Sequence, residues 1–97
     1  MSRSAVERRL SDTHARLVRA REDLAVIDEQ LAVVVEMADD TRIRALVSET
    51  PGDVREHSEA HRHAEAMVRQ RRSLVDTISE LEHRQNELLD RLVADPG

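Results

Sequence analysis

Apolar or small side chains recur at alternating steps of four and three residues over the first half of the chain. This heptad spacing forms one stripe along an α-helix, because seven residues make almost two helical turns. No Gly or Pro interrupts it, so we predict a helix from about Ser4 to Glu49. The stripe consists of Val6, Leu10, Thr13, Leu17, Ala20, Leu24, Ile27, Leu31, Val34, Ala38, Thr41 and Ala45.

A second stripe with the same spacing follows a break at Thr50-Pro51-Gly52-Asp53. Proline disfavours helix at the residue before it, and glycine permits unusual backbone angles. We therefore predict a turn over residues 50–53 and a second helix over about 54–94, which stops at Asp95-Pro96-Gly97. Its stripe consists of Ala60, Ala64, Met67, Arg71, Leu74, Ile78, Leu81, Gln85, Leu88 and Leu92.

Each predicted helix begins with a residue pair that is typical of a capping box. Ser4 is followed three residues later by Glu7, and Asp53 in the same way by Glu56. In such a pair the first side chain accepts a hydrogen bond from the first helical turn, and the second reaches back. We expect Ser4 and Asp53 to be the N-caps.

The two stripes fit each other in an antiparallel register. Residues 17 and 24 then face residues 88 and 81, all leucines, and Ala38 faces Met67. The midpoint of this register falls between Gly52 and Asp53, inside the predicted turn. Packing and local turn chemistry thus agree on one architecture. Two seam positions are polar: Arg71, expected to snorkel or to pair with Glu36, and Gln85.

Composition favours the same architecture. The 97 residues include no Phe, Tyr or Trp, only two Gly and two Pro, and 36% charged residues. A globular core is hard to fill without aromatic side chains, whereas a coiled-coil seam needs none. We predict an all-α fold with one domain over residues 1–97, a long antiparallel two-helix coiled-coil hairpin.

The apolar surface is wider than a two-stranded seam requires. Extra apolar residues lie beside the seam of both helices, and a broad stripe is typical of a bundle. We predict a homodimer that forms a four-helix bundle; the alternative is that these are isolated exposed apolar residues, which are common. The predicted interface consists of Val26, Val33, Val35, Val68, Val75 and Leu89.

The end of the first helix leaves one alternative open. Asp39 or Asp40 can cap a separate short helix that runs to Glu49, which would give a three-helix arrangement. Otherwise the off-seam apolar residues there contact a partner at the tip of the hairpin. The predicted tip consists of Ile43, Leu46, Val47, Asp53 and Glu56.

Most chemical functions are disfavoured by what the sequence lacks. It has no cysteine, no glycine-rich phosphate loop and no glycine-flanked serine, so we expect no enzyme and no cofactor. The net charge is −5 and the arginine clusters are interleaved with acids, which argues against nucleic-acid binding. Residues 31–38 are too few to cross a membrane, and no apolar leader precedes the first helix, so we expect a cytoplasmic protein.

One cluster has the spacing of metal ligands. His57, His61 and Glu65 lie on one face of the second helix, four residues apart. Such a face can hold zinc or nickel when further ligands converge on it. Mixed histidine and glutamate faces are more often solvated ion-pairing surfaces, so we assign no metal here.

Residues 52–61, which begin with Gly52-Asp53-Val54-Arg55-Glu56, resemble the coiled-coil tip of Gre-type transcript cleavage factors. That family inserts the tip of an antiparallel hairpin into the secondary channel of RNA polymerase, where two acids help to hold a catalytic magnesium ion. The resemblance implies that Asp53 and Glu56 are those acids. It covers about ten residues, and the family's C-terminal docking domain has no counterpart in the sequence.

The whole chain resembles short, uncharacterised two-helix proteins of actinobacteria. The residues that carry this likeness are 49–51 and 62–67, read as Glu-Thr-Pro and Arg-His-Ala-Glu-Ala-Met. The resemblance implies a helical hairpin and no particular activity. The leading hypothesis is a non-catalytic interaction module that associates with itself and with an unidentified protein. The alternative is a regulator that binds the RNA polymerase secondary channel.

Overall fold

A computed structural model describes residues 1–94 and contains two long helices in that range. Helix α1 spans Arg3–Ser48 and helix α2 spans Pro51–Ala94, with no strand in the described residues. The prediction of an all-α chain with two long helices is confirmed. The predicted stop at Asp95-Pro96-Gly97 lies outside the described residues. No helix within residues 1–94 is long and apolar enough to cross a membrane.

Helix α1 begins at Arg3, and its N-cap is Ser2, not Ser4. The Ser2 Oγ accepts a hydrogen bond from the Ala5 N–H at 3.1 Å, and the Ser2 carbonyl accepts one from Val6. Glu7, predicted to close a capping box with Ser4, instead pairs with Arg3 at 3.2 Å. Both serines can cap, but the earlier cap extends the helix by two residues and allows this ion pair.

The α1 helix ends in a left-handed cap at Glu49. Its φ is 53°, and its N–H donates a 3.0 Å hydrogen bond to the Ala45 carbonyl. A single residue in this conformation closes many helices by satisfying one of the last carbonyls. The chain therefore reverses at Glu49 and Thr50, earlier than the turn predicted over residues 50–53.

Helix α2 begins with Thr50 as N-cap and Pro51 at the first helical position. The Thr50 Oγ1 accepts a hydrogen bond from the Asp53 N–H at 3.3 Å, and its hydroxyl donates one to the Asp53 carboxylate at 2.9 Å. This reciprocal pair makes Asp53 the third helical residue and not the predicted cap. Proline suits the first position because its missing N–H has no partner there. Gly52 has no positive φ, so the turn does not use its freedom.

Helix α1 continues without a break through Asp39 and Asp40. The alternative with a separate helix at this point is wrong. Thr41 is buried there, and its hydroxyl donates to the Ala38 carbonyl at 3.0 Å. The seam can thus hold a polar side chain without an unsatisfied group, and the helix has no reason to end.

The burial pattern follows the predicted seam residue by residue. Every residue of the two stripes is buried or half-buried, and the apolar residues beside them are exposed. The half-buried pattern also extends upstream in α2 to Asp53 and His57, which continue the same spacing. The heptad analysis therefore identified which side of each helix packs.

The chain divides into two compact units, of which the first joins Met1–Leu24 with the residues from Ser73 onward. Its two helical segments run antiparallel, since Arg3 near the start of α1 donates to the Leu92 carbonyl and Arg21 pairs with Glu82. Large aliphatic side chains fill its core, and Leu17 is fully buried. The core cluster contains Leu17, Ala20, Ile78 and Leu81, with Leu24 and Leu74 packed against it.

The second unit is the hairpin Ala25–Arg72, which contains the turn. Ion pairs join its helical segments near both ends, Arg44 with Glu56 at 3.4 Å and Arg71 with Asp28 at 2.5 Å. Its buried residues are only Ile27, Thr41 and Met67. The rest of its predicted seam is half-buried, and four of these seven residues are alanine: Leu31, Val34, Ala38, Ala45, Ala60, Ala64 and Arg71. This unit has a thin core.

Candidate interaction surfaces

The residues predicted to form an interface are all on the surface of the chain. Their exposed fractions range from 38% for Val75 to 57% for Val33. Each of the six lies next to the seam and keeps more than a third of its surface exposed within the described residues. Their apolar surface is therefore open to contact.

Val35 and Val68 meet in one shallow groove of the second unit, which we call the valine groove. They stand beside the seam on α1 and α2, and Ala38 and Ala64 line the groove with them. Alanine leaves a hollow where larger seam residues would fill the space between the helices. The groove therefore has an apolar floor, and its rim consists of Asp39, His61, Glu65 and Arg69.

The rim of the valine groove carries both signs of charge. His61 pairs with Glu65 at 2.9 Å on α2. Asp39 and Arg69 form no ion pair within residues 1–94. A rim with unpaired groups of both signs can pair with an identical rim, because a two-fold axis would make any contact between Asp39 of one copy and Arg69 of the other occur twice.

The other predicted interface residues do not join the valine groove. Val33 lines a different groove of the second unit with Val34 and Met67, where the remaining lining is polar: Glu29, Gln30, His63 and Gln70. Val75 and Leu89 belong to the first unit. The structure thus brings Val35 and Val68 together and leaves Val33 apart from them.

The predicted tip residues fall into an apolar and an acidic group. Ile43, Leu46 and Val47 are strongly exposed, Val47 at 81%. Asp53 accepts hydrogen bonds from the hydroxyls of Ser48 and Thr50. These bonds, and to a smaller extent the charge of Arg44, lower the pKa of Asp53. Asp53 therefore closes the turn and holds the start of α2.

Glu56, the second acid of the predicted tip, also has a local partner. Arg44 of α1 lies 3.4 Å from its carboxylate. Both acids that resemble the Gre tip are thus engaged within the second unit, one in a cap and one in an ion pair. Neither carboxylate stands free, as an acid that holds a metal ion at a tip would.

The histidine face has one ion pair and one unsatisfied atom. His57 and His61 have ring centroids 6.1 Å apart, and His61 pairs with Glu65. The buried Nδ1 of His57 has no hydrogen-bond partner. Among residues 1–94, no three side chains of ligand type lie close enough to hold a metal ion.

The polar seam residues found partners that the sequence did not indicate. Arg71, expected to snorkel or to pair with an acid such as Glu36, donates to the acid Asp28, which flanks the seam on the facing helical segment. Gln85 lies 3.3 Å from the Nδ1 of His14. Polar residues at seam positions can fix the register of coiled coils, and both contacts join facing helical segments.

A groove of the first unit gathers four arginines, which we call the arginine groove: Arg9, Arg16, Arg84 and Arg91. Its floor is Thr13 and Leu88, and two acids, Asp12 and Glu87, also line it. From the sequence, no binding role was predicted for these four arginines. The available signal was the seven-residue spacing of each pair, 9 with 16 and 84 with 91, which places each pair on one helix face.

Comparison of the chain with protein-family models, curated proteins and solved structures found no match. The grounds for a function are therefore the two grooves, the tip and the charges around them.

Proposed function

We propose that this protein is a non-catalytic interaction module that works as a homodimer, with two copies joined through the valine groove into a four-helix bundle. The observation that carries the proposal is the apolar groove of Val35, Ala38, Ala64 and Val68 beside a thin core. A pair of helices buries little apolar surface per residue, and a second pair laid on the groove would bury more. The chain then presents its remaining surface, including the apolar tip, to a partner protein in the cytoplasm.

A second copy is the occupant that the rim charges favour. Asp39 and Arg69 stand unpaired on the same rim in the described chain. If Asp39 of one copy contacts Arg69 of the other, the two-fold axis repeats this contact, so both charges of both copies gain partners without a second kind of surface.

A catalytic role has little support in the described residues. The grooves are shallow and open, whereas catalysis needs groups held in a site that excludes water. The channel-regulator alternative needs free acids at the tip, and Asp53 and Glu56 have structural partners instead. We therefore favour the interaction module.

Substitution in the valine groove tests the proposal. Val35→Glu and Val68→Glu each place a carboxylate in the apolar floor, which costs free energy only if another chain covers it. We expect both variants to shift from dimer to monomer in size-exclusion chromatography with light scattering, in about 0.5 M salt. The helical content by circular dichroism should stay unchanged, since both side chains are 43% exposed.

Val18→Glu is the matched control. Val18 is 41% exposed, lies in the first unit and does not line the valine groove, so the charge and the residue change are the same. It should leave the dimer intact. Dissociation by all three variants, or by none, would contradict a dimer held by the valine groove.

A further inference from the structure

Four guanidinium groups in the arginine groove have no partner within the described chain. Arg9, Arg16, Arg84 and Arg91 form no ion pair and no side-chain hydrogen bond in residues 1–94. The two acids of the groove do not balance them, and Glu87 already pairs with His83 at 3.1 Å. This groove is therefore a positive surface on a chain whose net charge is −5.

The same chain carries a surface of the opposite sign. On α1 of the second unit, Glu29, Glu36, Asp39 and Asp40 are exposed and form no ion pair within the described residues. Glu29 and Glu36 are seven residues apart, which places them on one face about 10 Å from each other. The arginine pairs of the groove have the same separation along their helices.

We propose that the arginine groove of one chain receives the acidic face of α1, with Glu29 and Glu36, from another copy of the same chain. This contact rests on the self-association proposed above. It adds a second, ionic interface, in which the arginine groove of one copy meets the acidic face of another. The matched seven-residue spacing lets two carboxylates of one helix face two guanidinium groups of another at the same time. Arginine presents a planar fork that binds carboxylates well.

Two features of the groove favour an acidic helix over a nucleic acid. Asp12 and Glu87 lie among the arginines and would repel a continuous phosphate backbone. The groove also has an apolar floor at Leu88 and no aromatic side chain for base stacking. A helix surface with spaced carboxylates and apolar residues between them, such as Val33 between Glu29 and Glu36, fits this lining.

The contact makes assembly depend on ionic strength. At about 0.05 M salt, exposed charges interact over more than 10 Å, whereas at about 0.5 M salt they are largely screened. We expect the wild-type chain to form species larger than a dimer at low salt and only the dimer at high salt. The apolar floor of the valine groove does not weaken in this way, because apolar burial is not screened, so we expect the dimer to persist after its rim charges are screened.

Charge reversal with rescue tests the contact in the full-length chain. Arg84→Glu with Arg91→Glu removes the positive surface, and Glu29→Arg with Glu36→Arg removes the negative one. We expect each double variant to associate at least about tenfold more weakly than wild type at low salt, measured by sedimentation velocity. An equimolar mixture of the two should regain association, because each supplies a surface that the other lost.

Arg55→Glu with Arg62→Glu is the control, since these exposed arginines of α2 have the same spacing and lie outside the groove. It changes the net charge by the same amount as the groove variant, so a general repulsion would weaken both equally. The acidic-face variant brings the net charge closer to zero, so general repulsion cannot explain a loss of self-association in that variant. Circular dichroism confirms that each variant is helical.

Each outcome decides between the contacts. The proposal is supported if the groove variant and the acidic-face variant both lose self-association at low salt and regain it when mixed. It is overturned if neither variant loses self-association, if the control variant loses as much, or if mixing restores none of it. Binding of duplex DNA by wild type but not by the groove variant, without any loss of self-association, would assign the groove to nucleic acid instead. If the dimer persists at high salt and all variants associate like wild type at low salt, the ionic contact is excluded and the valine-groove dimer is not.

Discussion

At the scale of single residues, Glu49 holds a backbone conformation that suits glycine better. Its φ of 53° lies in the left-handed region, where a β-carbon crowds the backbone. Glu49→Gly should keep the cap and stabilise the folded chain by about 0.5–1 kcal/mol. Urea unfolding followed by circular dichroism measures the change. A destabilised variant would contradict the left-handed cap at this position.

Asp53 is the residue whose protonation should affect the turn. Hydrogen bonds from Ser48 and Thr50, aided by the charge of Arg44, lower its pKa in the folded chain. The unfolded chain binds the proton more readily, with a pKa of about 3.9. The stability that the carboxylate contributes is therefore present above that value and is lost as the pH falls through the lowered pKa.

Thermal melts at stepped pH test this linkage. We expect the melting temperature of wild type to fall more on acidification from about pH 5 to about pH 2 than that of Asp53→Asn. Asp76→Asn is the control, because Asp76 is exposed and forms no ion pair in the described chain. If acidification lowers the melting temperature of Asp53→Asn as much as that of wild type, Asp53 does not contribute to the acid sensitivity of the fold.

At the scale of helices, packing of the seam dominates stability in the first unit. Leu17 is fully buried among Ala20, Ile78 and Leu81. Leu17→Ala should cost about 2–5 kcal/mol, because it removes buried methyl groups and leaves a cavity. Leu46→Ala, at a residue that is 69% exposed, makes the same chemical change and should alter the melting temperature little. Equal effects of the two substitutions would contradict the assigned seam.

The sequence predicted the seam well and the helix ends poorly, for physical reasons. The heptad pattern indicates the packed side of a helix again at every repeat, so many residues give the same prediction. A helix end depends on a few hydrogen bonds, and neighbouring residues such as Ser2 and Ser4, or Thr50 and Asp53, can each supply them. The structure chose the earlier cap in both helices because ion pairs and a proline at the first position support it.

Of the two grooves, the sequence indicated only the valine groove. Val35 and Val68 were predictable because the heptad pattern sets their positions beside the seam. The arginine groove was missed because its residues are about seventy to eighty positions apart and exposed, and the heptad pattern of buried residues does not single out exposed charges that the antiparallel register brings together. Partners of polar seam residues, such as Asp28 for Arg71, depend on side-chain reach and not on spacing alone.

At the scale of the whole molecule, the proposed role depends on whether the apolar groove is covered by a second chain. Beyond Ile27, Thr41 and Met67, the second unit has a half-buried seam and leaves Val35 and Val68 open. Valines beside a seam of alanines give a second hairpin a place to dock. The ionic contact of the arginine groove then joins dimers into larger species at low salt, and high salt dissociates them.

Sedimentation equilibrium of the wild-type chain, at low to high micromolar concentrations in about 0.5 M salt, measures this most directly. The mass should rise with concentration from that of one chain, 11.1 kDa, to twice that value and then stay constant. A constant mass of one chain over the whole range would contradict the homodimer and the function proposed from it.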